Sequence, residues 1–225
     1  MNAIKAIFAK QLNDLPRNVS VTLLYLLYPA ITLIMSQLLG DADIYAGMFA
    51  AMFVGSTPMI AIANTVAEDN EYKSLRFLVM AGVQPWQYLF GLAGFVFLMS
   101  LLPLAAFALI GGFGGKVLMN FILIAILGCI ASSIFGGAIG IFAKNVQQAT
   151  AIYTPCMLLL AFMPIFASAN DLLARIADFF FSYQVFMVVL EPSADLLHAL
   201  LVTSANIAVL LAFFIIAYKK KGLRG

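Results

Sequence analysis

Six long uncharged runs constrain the fold of this 225-residue chain more than any other feature of its sequence. Each is long enough for a helix that crosses the hydrocarbon core of a bilayer, which is roughly 30 Å thick and takes about 20 residues. Only 10% of the residues are charged, whereas soluble domains have about a quarter. The sequence therefore predicts an all-α membrane protein with one transmembrane domain over residues 1–225. The runs cover residues 18–40, 44–67, 77–115, 117–143, 145–170 and 196–218.

These runs predict six transmembrane helices. Polar turns separate them, and a seventh apolar run, 179–190, is too short to cross a bilayer. We expect the spans at about residues 19–39, 44–66, 86–110, 117–142, 149–167 and 196–218. In the fourth span, Ser132, Gly136 and Gly140 lie four residues apart, a spacing of small residues that favours close helix packing, most simply within the chain.

The first 17 residues precede the spans and predict an amphipathic helix. Apolar residues recur at helical spacing from Ile4 to Leu15, and polar residues fill the other side. Pro16 ends the pattern. We expect residues 1–17 to lie in the membrane interface.

A charged segment, residues 67–85, interrupts the apolar sequence between the second and third spans. Five charges fall within nine residues, so this segment must lie in water: Glu68, Asp69, Glu71, Lys73 and Arg76. Asp69 or Asn70 is a suitable N-cap, with Glu71 in the first turn where the helix dipole favours an acid. Gly82 is a suitable C-cap. The segment predicts a short amphipathic helix over residues 70–81; the alternative is a solvated loop.

A second polar segment, residues 168–195, lies between the fifth and sixth spans. It combines acids with the short apolar run 179–190. We predict a helix over about 171–181 and an interfacial or re-entrant helix over about 183–190. The alternative is an ordinary loop with a buried aromatic edge.

Charge placement predicts the orientation. Ten of the twelve Lys and Arg residues fall on the side that holds both termini, the charged segment and the turn at residue 144. Because positive loops stay in the cytoplasm, that side is expected to be cytoplasmic. The opposite side has six of the ten acids: 41, 43, 171, 178, 191 and 195.

Polar residues inside the spans are candidates for a transport pathway. Such groups usually face protein or water rather than lipid. The alternative is that they join helices to one another. The pathway candidates are Phe49, Phe53, Ser56 and Asn64 in the second span and Thr150, Thr154 and Met157 in the fifth.

The sequence offers no evident metal or catalytic site. Its two cysteines, Cys129 and Cys156, fall inside spans, and its single histidine is His198. The Gly-rich stretch 111–115 before Lys116 is not a phosphate-binding loop, because Ile110 replaces its first Gly and Val117 its Ser/Thr. We therefore expect no catalytic residue, metal or cofactor in this chain.

The arrangement of these segments resembles the permease subunit of type II ABC exporters. The most similar local feature is the sequence from Glu68 to Met80, followed by residues 84–88 leading into the third span. The resemblance implies that helix 70–81 is a coupling helix seated in a groove of a separate ATP-binding subunit, which holds ATP and Mg. The implied coupling residues are Glu68, Glu71, Tyr72, Leu75, Arg76 and Val79. It also implies two permease copies, a bacterial cytoplasmic membrane with both termini inside, and contact with membrane lipid.

Functions other than export are alternatives for a chain of this composition. A secondary transporter or channel usually has intramembrane charges, and the runs have none. A membrane enzyme or a scaffolding subunit remains an alternative. The uncharged walls favour a hydrophobic or amphipathic cargo, such as a peptide or drug-like molecule; a lipid or glycolipid is the alternative, and no nucleic-acid partner is expected.

Overall fold

The computed structural model describes residues 3–14, 19–74, 80, 82–191 and 195–221. These residues are almost entirely helical, and no strand occurs among them. The helices are α1 (Ala3–Asp14), α2 (Val19–Leu39), α3 (Ala42–Glu71), α4 (Pro85–Ile110), α5 (Gly115–Phe142), α6 (Val146–Ala169), α7 (Asp171–Ala177), α8 (Phe181–Leu190) and α9 (Leu196–Lys221).

Six of these helices, α2 to α6 and α9, are long and apolar enough to cross a membrane. The predicted all-α membrane fold with six spans is therefore confirmed. Local signals explain several helix ends. Asn145 and Asn170 accept backbone N–H groups at the starts of α6 and α7, and Pro85 begins α4 after a capping box formed by Gln84 and Gln87.

The helix α3 forms the centre of the bundle. It is the most buried of the six spans, and α2 is the least buried. Gly136 and Gly140 of α5 lie directly against it: a Cβ at Gly140 would be 2.6 Å from the Cβ of Val66, and one at Gly136 would overlap the Met59 carbonyl oxygen. The predicted close packing of small residues within the chain is confirmed.

Gly136→Ala is expected to lower the free energy of unfolding by about 1–3 kcal/mol, the usual effect of overpacking a tight core. The added methyl group would meet backbone, which cannot rotate away as a side chain can. The control is Gly94→Ala in α4, where the new Cβ would meet only Phe8, at 3.8 Å. That variant should be unchanged or up to about 1 kcal/mol more stable. Detergent-solubilised protein unfolded by denaturant gives both values, and equal stabilities would contradict the packing described.

The helices α7 and α8 form a pair bent by 110°. Their bounds agree with the predicted helical segments at 171–181 and 183–190 to within a few residues. Val189 near the end of α8 packs against Gly47 near the start of α3, whereas Phe181 at its beginning packs against Gly128 in the middle of α5. The beginning of α8 therefore lies beside the middle of α5, and its end lies beside the start of α3.

Hydrogen bonds hold this turn in place. The Ser182 hydroxyl donates to the Leu160 carbonyl of α6 at 2.7 Å, and the Asn206 amide of α9 donates to the Phe179 carbonyl at 2.9 Å. His198 Nε2 lies 3.0 Å from a carboxylate oxygen of Asp178. The pair is thus fixed to both of the last two spans.

Candidate coupling site

The end of α3 nearest the chain termini joins four other helices. Three consecutive residues there, Asp69, Asn70 and Glu71, each bond to a different part of the bundle, and we call them the α3 junction. The second span was predicted to end at about residue 66, but α3 continues to Glu71. The charged segment therefore begins as part of the central helix.

Asp69 joins α3 to α1 and α4. Its side chain is buried, with Lys10 Nζ donating to one carboxylate oxygen at 2.9 Å and the Tyr88 hydroxyl donating to the other at 2.5 Å. A buried carboxylate is costly unless such donors satisfy it. The pairing therefore fixes the N-terminal helix to the central span.

The helix α1 also packs directly onto α4. Ile7 is buried, and a Cβ at Gly91 would approach it to 2.9 Å. The Phe8 and Phe95 rings meet edge to face with centroids 6.1 Å apart. The apolar face predicted to lie in the membrane interface therefore contacts protein over much of its length, and Leu12 remains about half exposed.

Asn70 and Glu71 connect α3 to the turn between α5 and α6. The Asn70 amide donates to the carbonyls of Gly140 and Ala143 at 2.9 and 3.2 Å, at the C-terminal end of α5. Glu71 accepts the Val146 backbone N–H at 3.3 Å, at the N-terminus of α6. Both contacts pair backbone groups that a helix end leaves without an intrahelical partner.

The predicted N-cap of the charged segment was therefore wrong. Asp69 and Asn70 lie inside α3, because their side chains find partners on α1, α4 and α5 rather than on the backbone of a new helix. Glu71 was expected in the first turn of helix 70–81; it is instead the last residue of α3 and lies at the N-terminus of α6, where an acid is still favoured.

The surface beside the α3 junction is exposed. Glu68 is exposed and Tyr72 is 71% exposed, although a tyrosine usually covers much of its ring. Lys73 has a φ of 58°, which turns the chain away from the α3 axis. Ser74 and Met80 are helical, and Gly82 has the left-handed φ of 80° expected of a C-cap. The coupling candidates Leu75, Arg76 and Val79 lie outside the described residues.

Two of the pathway candidates in α3 are buried within the chain. The Phe53 ring packs against Tyr25, Tyr28 and Phe107. The Ser56 hydroxyl donates to the Met52 carbonyl at 2.6 Å and lies 3.0 Å from the Tyr28 hydroxyl. In this conformation both residues are fully buried and join α3 to its neighbours.

The remaining candidates lie nearer the surface. Phe49 and Asn64 are half-buried, as are Thr154 and Met157, and Thr150 is exposed. The hydroxyls of Thr150 and Thr154 donate to the carbonyls four residues earlier in α6, at 2.9 and 2.7 Å. Phe53 packs toward α2 and α4, whereas Thr150 is exposed on α6.

Lys10, Asp69, Asn70 and Tyr88 were not among the predicted functional residues. Asp69 belongs to the charged segment that the sequence places in water, where a carboxylate needs no protein partner. Neither its burial nor the identity of its partners could therefore be predicted from the sequence. Across the residues that the structure describes, no group of three His, Cys, Asp or Glu could hold a metal ion.

The sequence matches a known family of membrane transporters. The model of the ABC-2 family transporter protein matches residues 1–219, almost the whole chain. The chain belongs to the ABC-2 transporter family. Among curated proteins, no individual match was found. The six spans are therefore those of an ABC-2 membrane subunit, a multi-pass permease component of an ABC transporter.

Proposed function

We propose that this ABC-2 permease exports a hydrophobic or amphipathic molecule from the cytoplasm, driven by ATP hydrolysis in a separate subunit. The observation that carries the proposal is the α3 junction: one exposed surface beside Tyr72 is joined by side-chain bonds to α1, α4, α5 and α6. A force applied there would reach most of the bundle. This sequence has no Walker A motif, and we place ATP hydrolysis in a separate subunit.

The mechanism is a rigid-body movement. Two ATP-binding subunits close on ATP and move the segment 72–84 of each permease copy. The α3 junction transmits this displacement to the helices bonded to it, and access to a central cavity alternates between the two sides. This chain supplies the connection between helices and no chemical step.

The cavity is proposed to form between two permease copies along the open side of α6. Thr150, Thr154 and Met157 are at least partly exposed there. The lining is uncharged, which suits peptides, drug-like molecules or lipids better than ions or anionic polymers. Because Phe53 and Ser56 are buried within each copy, they would line this cavity only after α3 moves away from α2.

The experiment combines the permease with the ATPase from a neighbouring reading frame that has the Gly-x-x-x-x-Gly-Lys-Ser/Thr sequence. Two copies of each are expected in native mass spectrometry. Vesicles containing the complex should accumulate a hydrophobic peptide or dye only with ATP, and the same complex with the Walker A lysine changed to alanine should not. A stable monomer that transports without any ATPase would contradict the proposal and favour a secondary transporter.

The proposed orientation places both termini in the cytoplasm. Single cysteines at positions 2 and 223 should react with an impermeant maleimide only in inside-out vesicles, and cysteines at 42 and 174 only in right-side-out vesicles. The native cysteines are first replaced by alanine; Cys129 is buried and Cys156 is half-buried. Labelling of either terminus from outside would reverse the orientation.

A further inference from the structure

An apolar groove lies on the outside of the bundle between α4, α5 and α9. Its volume is about 680 Å³, within the usual range for a small-molecule site. Trp86 and Phe90 on its α4 side are more than half exposed, so the groove is open to the surroundings. Its lining is almost wholly hydrocarbon or aromatic, with Cys129 and Ser133 as the only side chains with a thiol or hydroxyl.

The groove has the depth of one membrane leaflet. On α4 it runs from Trp86, beside the helix start at Pro85, to Phe97. At 1.5 Å per residue this distance is about 16 Å. The hydrocarbon core is roughly 30 Å thick, so the groove covers about half of it. That half lies toward the chain termini, because the last lining residue on α9, Ile215, comes six residues before the end of that helix.

Positively charged residues lie beyond the groove, at the end of it that is nearer the chain termini. Lys219, Lys220 and Lys221 are the last residues of α9. At about 100° per residue, positions 219 and 221 fall on either side of the direction in which Leu211, Phe214 and Ile215 line the groove, each within about 90° of it, whereas position 220 falls on the opposite side. The fold thus places an apolar channel one leaflet deep below a basic helix end.

We propose that this groove binds one acyl chain of an anionic phospholipid from the leaflet on the side of the chain termini, with its phosphate attracted by the positive charge of the last turn of α9, residues 219–221. The apolar lining matches a hydrocarbon chain, and the basic helix end matches an anionic headgroup. A second copy of the permease is a poorer occupant, because a twofold interface at this face would bring two basic α9 ends together. Bound there, the lipid contacts α4, α5 and α9 at once and stabilises their packing.

The position of Trp86 makes the proposal directly measurable, because it is the only tryptophan in the chain. The purified full-length permease is placed in phosphatidylcholine nanodiscs that contain increasing fractions of lipid with brominated acyl chains, which quench tryptophan fluorescence. Brominated phosphatidylglycerol should reach half-maximal quenching at a mole fraction about fivefold lower than brominated phosphatidylcholine does. A fivefold preference is about what the attraction between one lysine and an anionic headgroup provides.

Two variants separate binding in the groove from ordinary contact with lipid. Changing Lys219, Lys220 and Lys221 to glutamine should abolish the preference for phosphatidylglycerol without altering any residue of the groove. Ala93→Phe should fill the groove and reduce quenching by both lipids. The control Ala105→Phe, exposed on α4 away from the groove, should behave as wild type.

Three results would overturn the proposal. Equal dependence on the two brominated lipids would show ordinary contact only. An unchanged preference in the lysine variant would remove the headgroup site. Absence of quenching by either lipid would show that this face is covered by cargo or by a second copy.

Discussion

Asp69→Ala is expected to lower the free energy of unfolding by about 2–4 kcal/mol and to weaken the coupling of transport to ATP hydrolysis. The buried Tyr88 hydroxyl would lose its acceptor and Lys10 would lose its counterion. Each loss costs about 1–3 kcal/mol when a charged group is involved. Because about half of the Lys10 side chain is exposed to solvent, the loss of its counterion should cost an amount near the lower end of that range. Denaturant unfolding in detergent gives the stability, and transport per ATP hydrolysed in vesicles gives the coupling.

The control is Glu68→Ala at the preceding position, where the side chain is exposed. It should change stability by less than about 0.5 kcal/mol. A double-mutant cycle makes the test specific. Tyr88→Phe combined with Asp69→Ala should cost clearly less than the sum of the single changes, because both remove the same hydrogen bond. Additive losses would show that the bond does not join α3 to α4 as described.

Leu75→Ala is expected to weaken binding of the ATP-binding subunit by about 2 kcal/mol or more, whereas Arg76→Ala should cost roughly 0–1 kcal/mol. The spacing of Tyr72, Leu75 and Val79 in the sequence predicts that they share one apolar face of the charged segment. An apolar anchor in a pocket contributes far more to binding than an exposed ion pair at the rim. Tyr72→Ala should resemble Leu75→Ala, because that ring is 71% exposed in the isolated chain and available to a partner.

The measurement is retention of the ATPase during purification, with ATP hydrolysis assayed in the same membranes. The permease variants should still insert and purify in normal amounts, since the spans bury their apolar area without this segment. Wild-type retention in both Leu75→Ala and Arg76→Ala would remove the charged segment from the mechanism and leave it a solvated loop.

The spans could be predicted from the sequence because membrane insertion depends on composition over about 20 residues, which requires no knowledge of neighbours. The end of α3 could not be predicted in this way. Hydropathy shows where a span leaves the membrane, but helical backbone continues as long as its side chains find partners. At Asp69 and Asn70 those partners are Lys10 and Gly140, which are 59 and 70 residues away in the sequence.

In the candidate site, too, exposure could be predicted from the local sequence, whereas contacts with distant residues could not. The exposed position of Tyr72 followed from the charges around it, whereas the contacts of Glu71 with α6 depended on how α3 and α6 pack. Phe53 and Ser56 show that the direction of a helix face is also hard to predict from the sequence. Helical spacing places residues on a common face, but it does not show whether that face looks toward a cavity or toward α2 and α4.

Binding of the ATPase to the surface beside the α3 junction is the step on which the proposed mechanism depends. Site-specific photocrosslinking tests it most directly, with benzoylphenylalanine at position 72 in one variant and at position 43 in the other. Asp43 is also exposed, but it lies at the opposite end of α3. Ultraviolet light should join the permease to the ATPase from position 72 and not from position 43. A crosslink from position 43 alone, or no product from position 72, would show that the ATPase does not bind at this surface.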